Sequence, residues 1–322
     1  MLSDIGTTGD SNTYLSRRWY EANAPHRNHL NFREREFTPG AAPGVIRIAA
    51  VGDSFTFGMG ILEQQRVSNL LDAALNAAGS QRFEVLNFGK SGANYEQHVL
   101  NLRTALKAAR PHHLLLQWYP NDLDDPGDPR PRPYPLGSIL HKGLVTVSVL
   151  YFLAARAFDD AQIKMGIIDV DAYYRRFLDP ADPIARRANE RFRRVIDVAR
   201  EAQVPIAVYL WPDLTRPLGT SPNDPVIDQV LKTCLAERIE CVDLRLALRS
   251  ERQHGRLIVN RFDPHASAEA NAMAARLLLD RLGDRWRTAA KAPTSDQTSD
   301  PVAQVTSRRE FANGARVSDR DP

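Results

Sequence analysis

Five short β-rich runs recur along this chain, and each leads, at once or after a loop, into a segment of helical period. The runs are 46–51, 83–86, 114–119, 206–211 and 241–244. After the first, Val67, Leu70, Leu71, Ala74, Leu75 and Ala78 share one helical face, and Gly79 stops the helix. After the second, Tyr95, Val99, Leu102 and Leu106 do the same ahead of Pro111. Later helices are marked by Ala188, Phe192, Val195, Ile196 and Ala199, by Ile227, Val230, Leu231, Cys234 and Leu235, and by Ala270, Met273, Ala274, Leu277, Leu278 and Leu282. Such a repeated strand–helix order implies a parallel sheet with helices on both faces. The expected fold is a flavodoxin-like, three-layer α/β/α sandwich around five parallel strands in the order 2-1-3-4-5. The 322 residues, 43% of them hydrophobic, suffice for one such domain with a full core.

The ends and the middle depart from this rhythm. Residues 1–44 are poor in apolar groups and read as an irregular N-terminal arm, partly disordered at its start, with Trp19, Tyr20, Leu30 and Phe32 as anchors. The main domain is expected over 45–288. Within it, residues from about 123 to 183 read as an insertion longer than ordinary connections. It holds a Pro-, Asp- and Arg-rich loop over 124–135 and a mainly apolar helix over 139–158. Val145, Val147 and Val149 leave a strand open there. An aromatic cluster of Tyr173, Tyr174 and Phe177 follows. From 289 to 322 the chain has almost no large apolar groups and is expected to be disordered.

The first strand ends in Gly52-Asp53-Ser54, which places Ser54 in a sharp turn at its carboxyl end. Gly92 follows strand two, Asn121 follows strand three, and Asp263 and His265 follow strand five and its loop. All of these positions converge on the edge where open α/β sheets hold ligands. Their chemistry is complementary. A serine hydroxyl needs a base, and an imidazole titrating near neutrality, His265, supplies one. Asp263 would fix the imidazole tautomer and stabilise the imidazolium. Acyl transfer builds charge on the carbonyl oxygen, and the Ser54 N–H, the Gly92 N–H and the Asn121 amide are the candidate donors. Asp53 and Asp122 read as caps, Gly89 as a turn residue, and His98, His112 and His113 as structural.

Gly52-Asp53-Ser54-Phe55-Thr56, Asn87-Phe88-Gly89-Lys90-Ser91-Gly92, Tyr119-Pro120-Asn121-Asp122 and Asp263-Pro264-His265 resemble, in order, the four blocks of the SGNH or GDSL-type hydrolases. The resemblance spans residues from about 45 to 283. It implies a serine esterase with the roles just given. Two positions depart from the pattern: Tyr119 stands where the third block usually has Gly, and one residue, not two, separates Asp263 from His265. The upstream stretch Asn31-Phe32-Arg33-Glu34-Arg35-Glu36 resembles relatives linked with bacterial surface polysaccharides and their O-acyl groups. The resemblance thus implies an ester hydrolase working through an acyl-enzyme on short O-acyl, notably acetyl, esters of a carbohydrate. A lipid esterase or thioesterase, an O-acyltransferase with the same site, and a binding module without turnover remain open. Tyr173, Tyr174 and Phe177 are expected to wall the acyl pocket and restrict it to short chains.

Lys and Arg number 42 against 39 Asp and Glu, a net charge of +3, which gives no electrostatic case for nucleic acid. No cofactor or metal site is expected, since neither Cys234 nor Cys241 has a second ligand at finger-like spacing. The two cysteines are too few for a disulfide scaffold, and the sequence leaves them paired or free. The apolar run 144–158 is too short to span a bilayer, and the start lacks a basic region followed by an apolar one. The chain as given is expected to be soluble, either cytoplasmic or an exported protein without its leader. The expected partner is a small-molecule or polysaccharide acyl ester, and the oligomeric state is open.

Overall fold

The structure, a computed structural model, describes residues 7, 13–24, 26–77, 79, 81–125, 127, 138–249, 251 and 254–289. The expected disordered tail beyond Ala289 and most of the loop over 124–135 lie outside these residues. Strands β1 (Val45–Gly52), β2 (Arg82–Gly89), β3 (His113–Trp118), β4 (Ile206–Leu210) and β5 (Glu240–Asp243) form a parallel sheet in the order β2-β1-β3-β4-β5. Gly52 lies opposite Gly89 and Val51 opposite Leu116, so the chains leaving β1, β2 and β3 emerge side by side.

The helices are α1 (Tyr14–Asn23), α2 (Ser54–Phe57), α3 (Val67–Ala77), α4 (Tyr95–Ala109), α5 (Ser138–Val147), α6 (Val149–Lys164), α7 (Val170–Arg175), α8 (Pro183–Glu201), α9 (Asp224–Ala236), α10 (Arg245–Leu248) and α11 (Ala268–Ala289). Strand parity sorts the core into two layers. Val51, Leu116 and Val208 pack with α4, α8 and α9. Ile48, Leu115 and Tyr209 pack with α3 and α11. Because the central strands β1, β3 and β4 are buried on both faces, their sequences read as near-continuous apolar runs. A fully buried leucine such as Leu71 or Leu278 contributes about 1.5–3 kcal/mol of transfer free energy.

The expected helix over 139–158 is in fact two. The break is Ser148, whose hydroxyl accepts the Tyr151 N–H at 3.2 Å and starts α6. The pair is one-sided: Ile139 and Leu150 are 86% and 79% exposed. Tyr173, Tyr174 and Phe177 correct a second expectation. Tyr173 meets Tyr174 and Phe177 edge-on at 5.5 Å, Tyr174 and Phe177 lie tilted at 6.3 Å, and all three join the α4–α8–α9 core, so their apolar surface is covered by protein rather than offered to an acyl chain.

The described part of the arm, expected to be irregular, contains a helix, α1, and packs on the domain. Thr13 caps α1 by accepting the Ser16 N–H, Phe32 is buried, and the Tyr20 hydroxyl accepts the Gly60 N–H at 2.7 Å. Also unexpected is an antiparallel hairpin of β6 (Ile258–Asn260) and β7 (Asp263–Ala266) ahead of α11. Cys234 of α9 and Cys241 of β5, left open by the sequence, form a disulfide.

Candidate active site

Ser54 is the first residue of α2, directly beyond the carboxyl end of β1. The turn is fixed by side chains on neighbouring elements. The Asp53 N–H donates to Gln117 Oε1 of β3 at 2.9 Å, and Asp53 Oδ1 accepts the Phe55 N–H at 2.9 Å. A single-turn helix cannot hold itself together, so its far end is tied down as well. The buried Arg33 guanidinium donates to the carbonyls of Phe57, Gly58 and Ile61 at 3.3, 2.7 and 2.9 Å. Glu34 accepts the Asn87 N–H at 2.8 Å. The upstream Arg33-Glu34 pair therefore points inward and braces the Ser54 turn. Gly89 serves the same turn: a Cβ there would overlap Phe57 N and Thr56 C of α2. It is a close-packing glycine at the end of β2 rather than a turn residue.

Ser54 and His265 come together from 211 residues apart, with Oγ to Nε2 at 2.7 Å. His265 Nδ1 meets Asp263 Oδ1 at 2.5 Å. The short Asp-Pro-His spacing works because both residues lie on β7, where side chains i and i+2 share a face. Burial opposes charge on Asp263, but hydrogen bonds from His265 and Thr7 and the adjacent imidazole hold its carboxyl below the usual range. With Asp263 ionised, Nδ1 keeps its proton and Nε2 is left to accept from Ser54.

The second oxygen of Asp263 is engaged by a residue nothing in the sequence singled out. Thr7 Oγ1 donates to Asp263 Oδ2, and the Thr7 carbonyl accepts Asn260 Nδ2 at 3.2 Å. Thr7 is 1% exposed and Asp263 is fully buried. The arm thus supplies a direct partner of the acid.

Gly92 and Asn121 lie on the two chains that flank β1. The Lys90 N–H donates to the Gly52 carbonyl at 3.1 Å, tying the Gly92 loop to the Ser54 turn. Gly92 has φ +76°, and a Cβ there would meet open space. Its glycine therefore answers to conformation, not to crowding from the protein. Asn121 sits in a 3-10 turn, Pro120–Leu123. Its side chain lies beside Asp53 and favours that group's charged form, although burial and then the Asp122 carboxylate push Asp53 up to about 6. The Phe55 ring packs against Tyr119, His265 and Trp211 at 4.4, 5.2 and 5.4 Å, making an aromatic wall next to Ser54. Among the described residues, no group of three His, Cys, Asp or Glu could hold a metal. Nor is any helix among them long and apolar enough to cross a membrane.

No family model and no curated protein matches the chain. Solved structures do. A family 3 carbohydrate esterase of Clostridium thermocellum is 16% identical, with 76% of this chain and 99% of that chain covered, at a TM-score of 0.45. The psychrotrophic esterase EstA of a Pseudoalteromonas species is 11% identical, with 75% and 98% covered, at 0.46. A member of the lipolytic G-D-S-L family from Veillonella parvula is 13% identical, with 73% and 97% covered, at 0.43.

Proposed function

We propose that this protein is a serine ester hydrolase that works through an acyl-enzyme on short O-acyl esters, with a carbohydrate as the acyl carrier. The observation that carries the reading is the continuous line of hydrogen bonds from Asp263 through His265 to Ser54. Ser54 Oγ attacks the ester carbonyl as His265 Nε2 takes its proton. His265 then returns that proton to the departing alcohol, leaving Ser54 acylated. Water repeats the cycle with the same base and frees the acid. The Ser54 and Gly92 N–H groups and the Asn121 amide donate to the oxyanion of both tetrahedral intermediates.

The partly buried Tyr119 ring, packed on Phe55 beside Ser54, supports a short acyl group. Tyr119 brings bulk where the resembled family usually has glycine. The carbohydrate is carried by the resemblance of residues 31–36 alone, because Arg33 and Glu34 brace the turn from inside. The test is a panel of p-nitrophenyl acetate, butyrate and octanoate with acetylated xylan, together with fluorophosphonate labelling. Acetate release, and labelling that Ser54→Ala abolishes, is the expected result. Equal labelling of Ser54→Ala would rule out Ser54 as the nucleophile.

A further inference from the structure

The chains carrying Ser54, Gly92 and Asn121 meet at a buried cluster outside the Ser54–His265–Asp263 line. It consists of Asp53, His98 and Asp122, each no more than 1% exposed. Every one of them belongs to a different donor segment. Asp53 precedes Ser54 and caps α2. Asp122 follows Asn121, and its Oδ2 accepts the Tyr119 N–H at 3.0 Å, closing the turn that presents Asn121. His98 lies in the first turn of α4, the helix that begins as the Gly92 loop ends and is capped by Asn94. Its Nε2 meets Asp122 Oδ1 at 2.7 Å.

The charges make this cluster consequential. Two buried carboxylates, Asp53 and Asp122, directly adjoin Ser54 and Asn121 in the chain, and at low effective dielectric such charges oppose an oxyanion held by those residues. Burial disfavours an imidazolium at His98, yet the charge and hydrogen bond of Asp122, and then the charge of Asp53, raise its pKa. The Tyr95 and Tyr209 phenols also face the cluster, and burial keeps both neutral. His98 has no part in the proton transfers described above.

We propose that His98 is a positioning residue of the oxyanion site. By holding Asp122 it locks the Asn121 turn to the start of α4, which sets the separation of the Asn121 and Gly92 donors. Its imidazole also offsets the Asp53 and Asp122 carboxylates. This inference rests on the esterase reading.

The test measures kcat, KM and Tm on p-nitrophenyl acetate for His98→Ala and His98→Gln, in the wild-type and Asn121→Ala backgrounds. His98→Ala should lower kcat about 10–100-fold with KM within about twofold, as a displaced donor would. His98→Gln keeps an N–H for Asp122 and should recover most of that loss. In the Asn121→Ala background, His98→Ala should cost less than about threefold more, because the donor it positions is already gone. A lower Tm with unchanged kcat, or an equal loss in both backgrounds, would overturn the proposal. If His98→Ala does not fold, the near-isosteric Asp122→Asn replaces it in the same cycle, with the same outcomes supporting or overturning the proposal. A wild type that hydrolyses no ester overturns the esterase reading itself, and the brace with it.

Discussion

His265–Asp263 and His98–Asp122 are built from the same two side chains at nearly the same distance, 2.5 and 2.7 Å. They differ in what the other ring nitrogen meets. In His265 it faces Ser54 Oγ, and the residue is 9% exposed, close enough to solvent for a proton to leave. In His98 it is buried, with no hydrogen-bond partner among the described residues. An imidazole held by a carboxylate is therefore not in itself a catalytic base. In the proposed mechanism the base is singled out by its second nitrogen and that nitrogen's access to Ser54 and water.

The sharpest way to break this contrast is to remove each histidine. Ser54→Ala and His265→Ala should each lower kcat about 10⁶-fold, as triad knock-outs do. His98→Ala should lose no more than about 100-fold on the same ester. Comparable losses at the two histidines would erase the distinction. The carboxylates come next. Asp263→Asn should cost about 10⁴ in kcat near neutrality by favouring the wrong His265 tautomer. Asp122→Asn should stay well short of that, and the ratio of the two rates measures how differently the pairs are used. Third, Asn121→Ala should lower kcat about 10²–10³-fold with KM little changed. A change confined to KM would make Asn121 a substrate contact instead.

Thr7→Val tests the smallest difference, the side-chain hydroxyl on the second oxygen of Asp263 where Asp122 has the Tyr119 backbone N–H. Loss of one charge-assisted hydrogen bond should lower kcat about tenfold. It has a signature in pH as well. A carboxyl held below its usual pKa contributes stability at pH values above the usual range, and that stability is lost as pH falls through the depressed value. Thr7→Val gives up part of this stability, so its Tm deficit should be present at neutral pH and close on acidification. A deficit independent of pH would mean that Thr7 acts through packing.

The sheet was legible because its central strands are buried on both faces and its helices on one, so composition and period carried the information. All five strands fall where the apolar runs predict them, within a few residues at each end, and in the expected order. The convergence of Ser54, Asp263 and His265 was legible because each stands where the topology brings the chain to one edge. The β6–β7 hairpin was not, being short, interrupted by Pro264 and irregular in register. The contacts of Thr7 and Arg33 were missed for a common reason. Each reaches a partner 24 or more residues away and leaves no period or spacing in the sequence. Tyr173, Tyr174 and Phe177 misled because an aromatic cluster after Asn121 looks the same in sequence whether it lines an opening or fills a core.

The 211 residues between Ser54 and His265, and the 256 between Thr7 and Asp263, are also an interval of time. At about 5–20 residues per second, Ser54 is synthesised roughly 10–40 s before its base. During that interval the sheet can extend strand by strand, since β3 pairs with the free edge of β1, and β4 and β5 each add to the edge left by the one before. On the proposed mechanism Ser54 meanwhile stays inert, because neither His265 nor the hairpin that holds it yet exists, and ester cleavage waits until nearly all of the domain has been made.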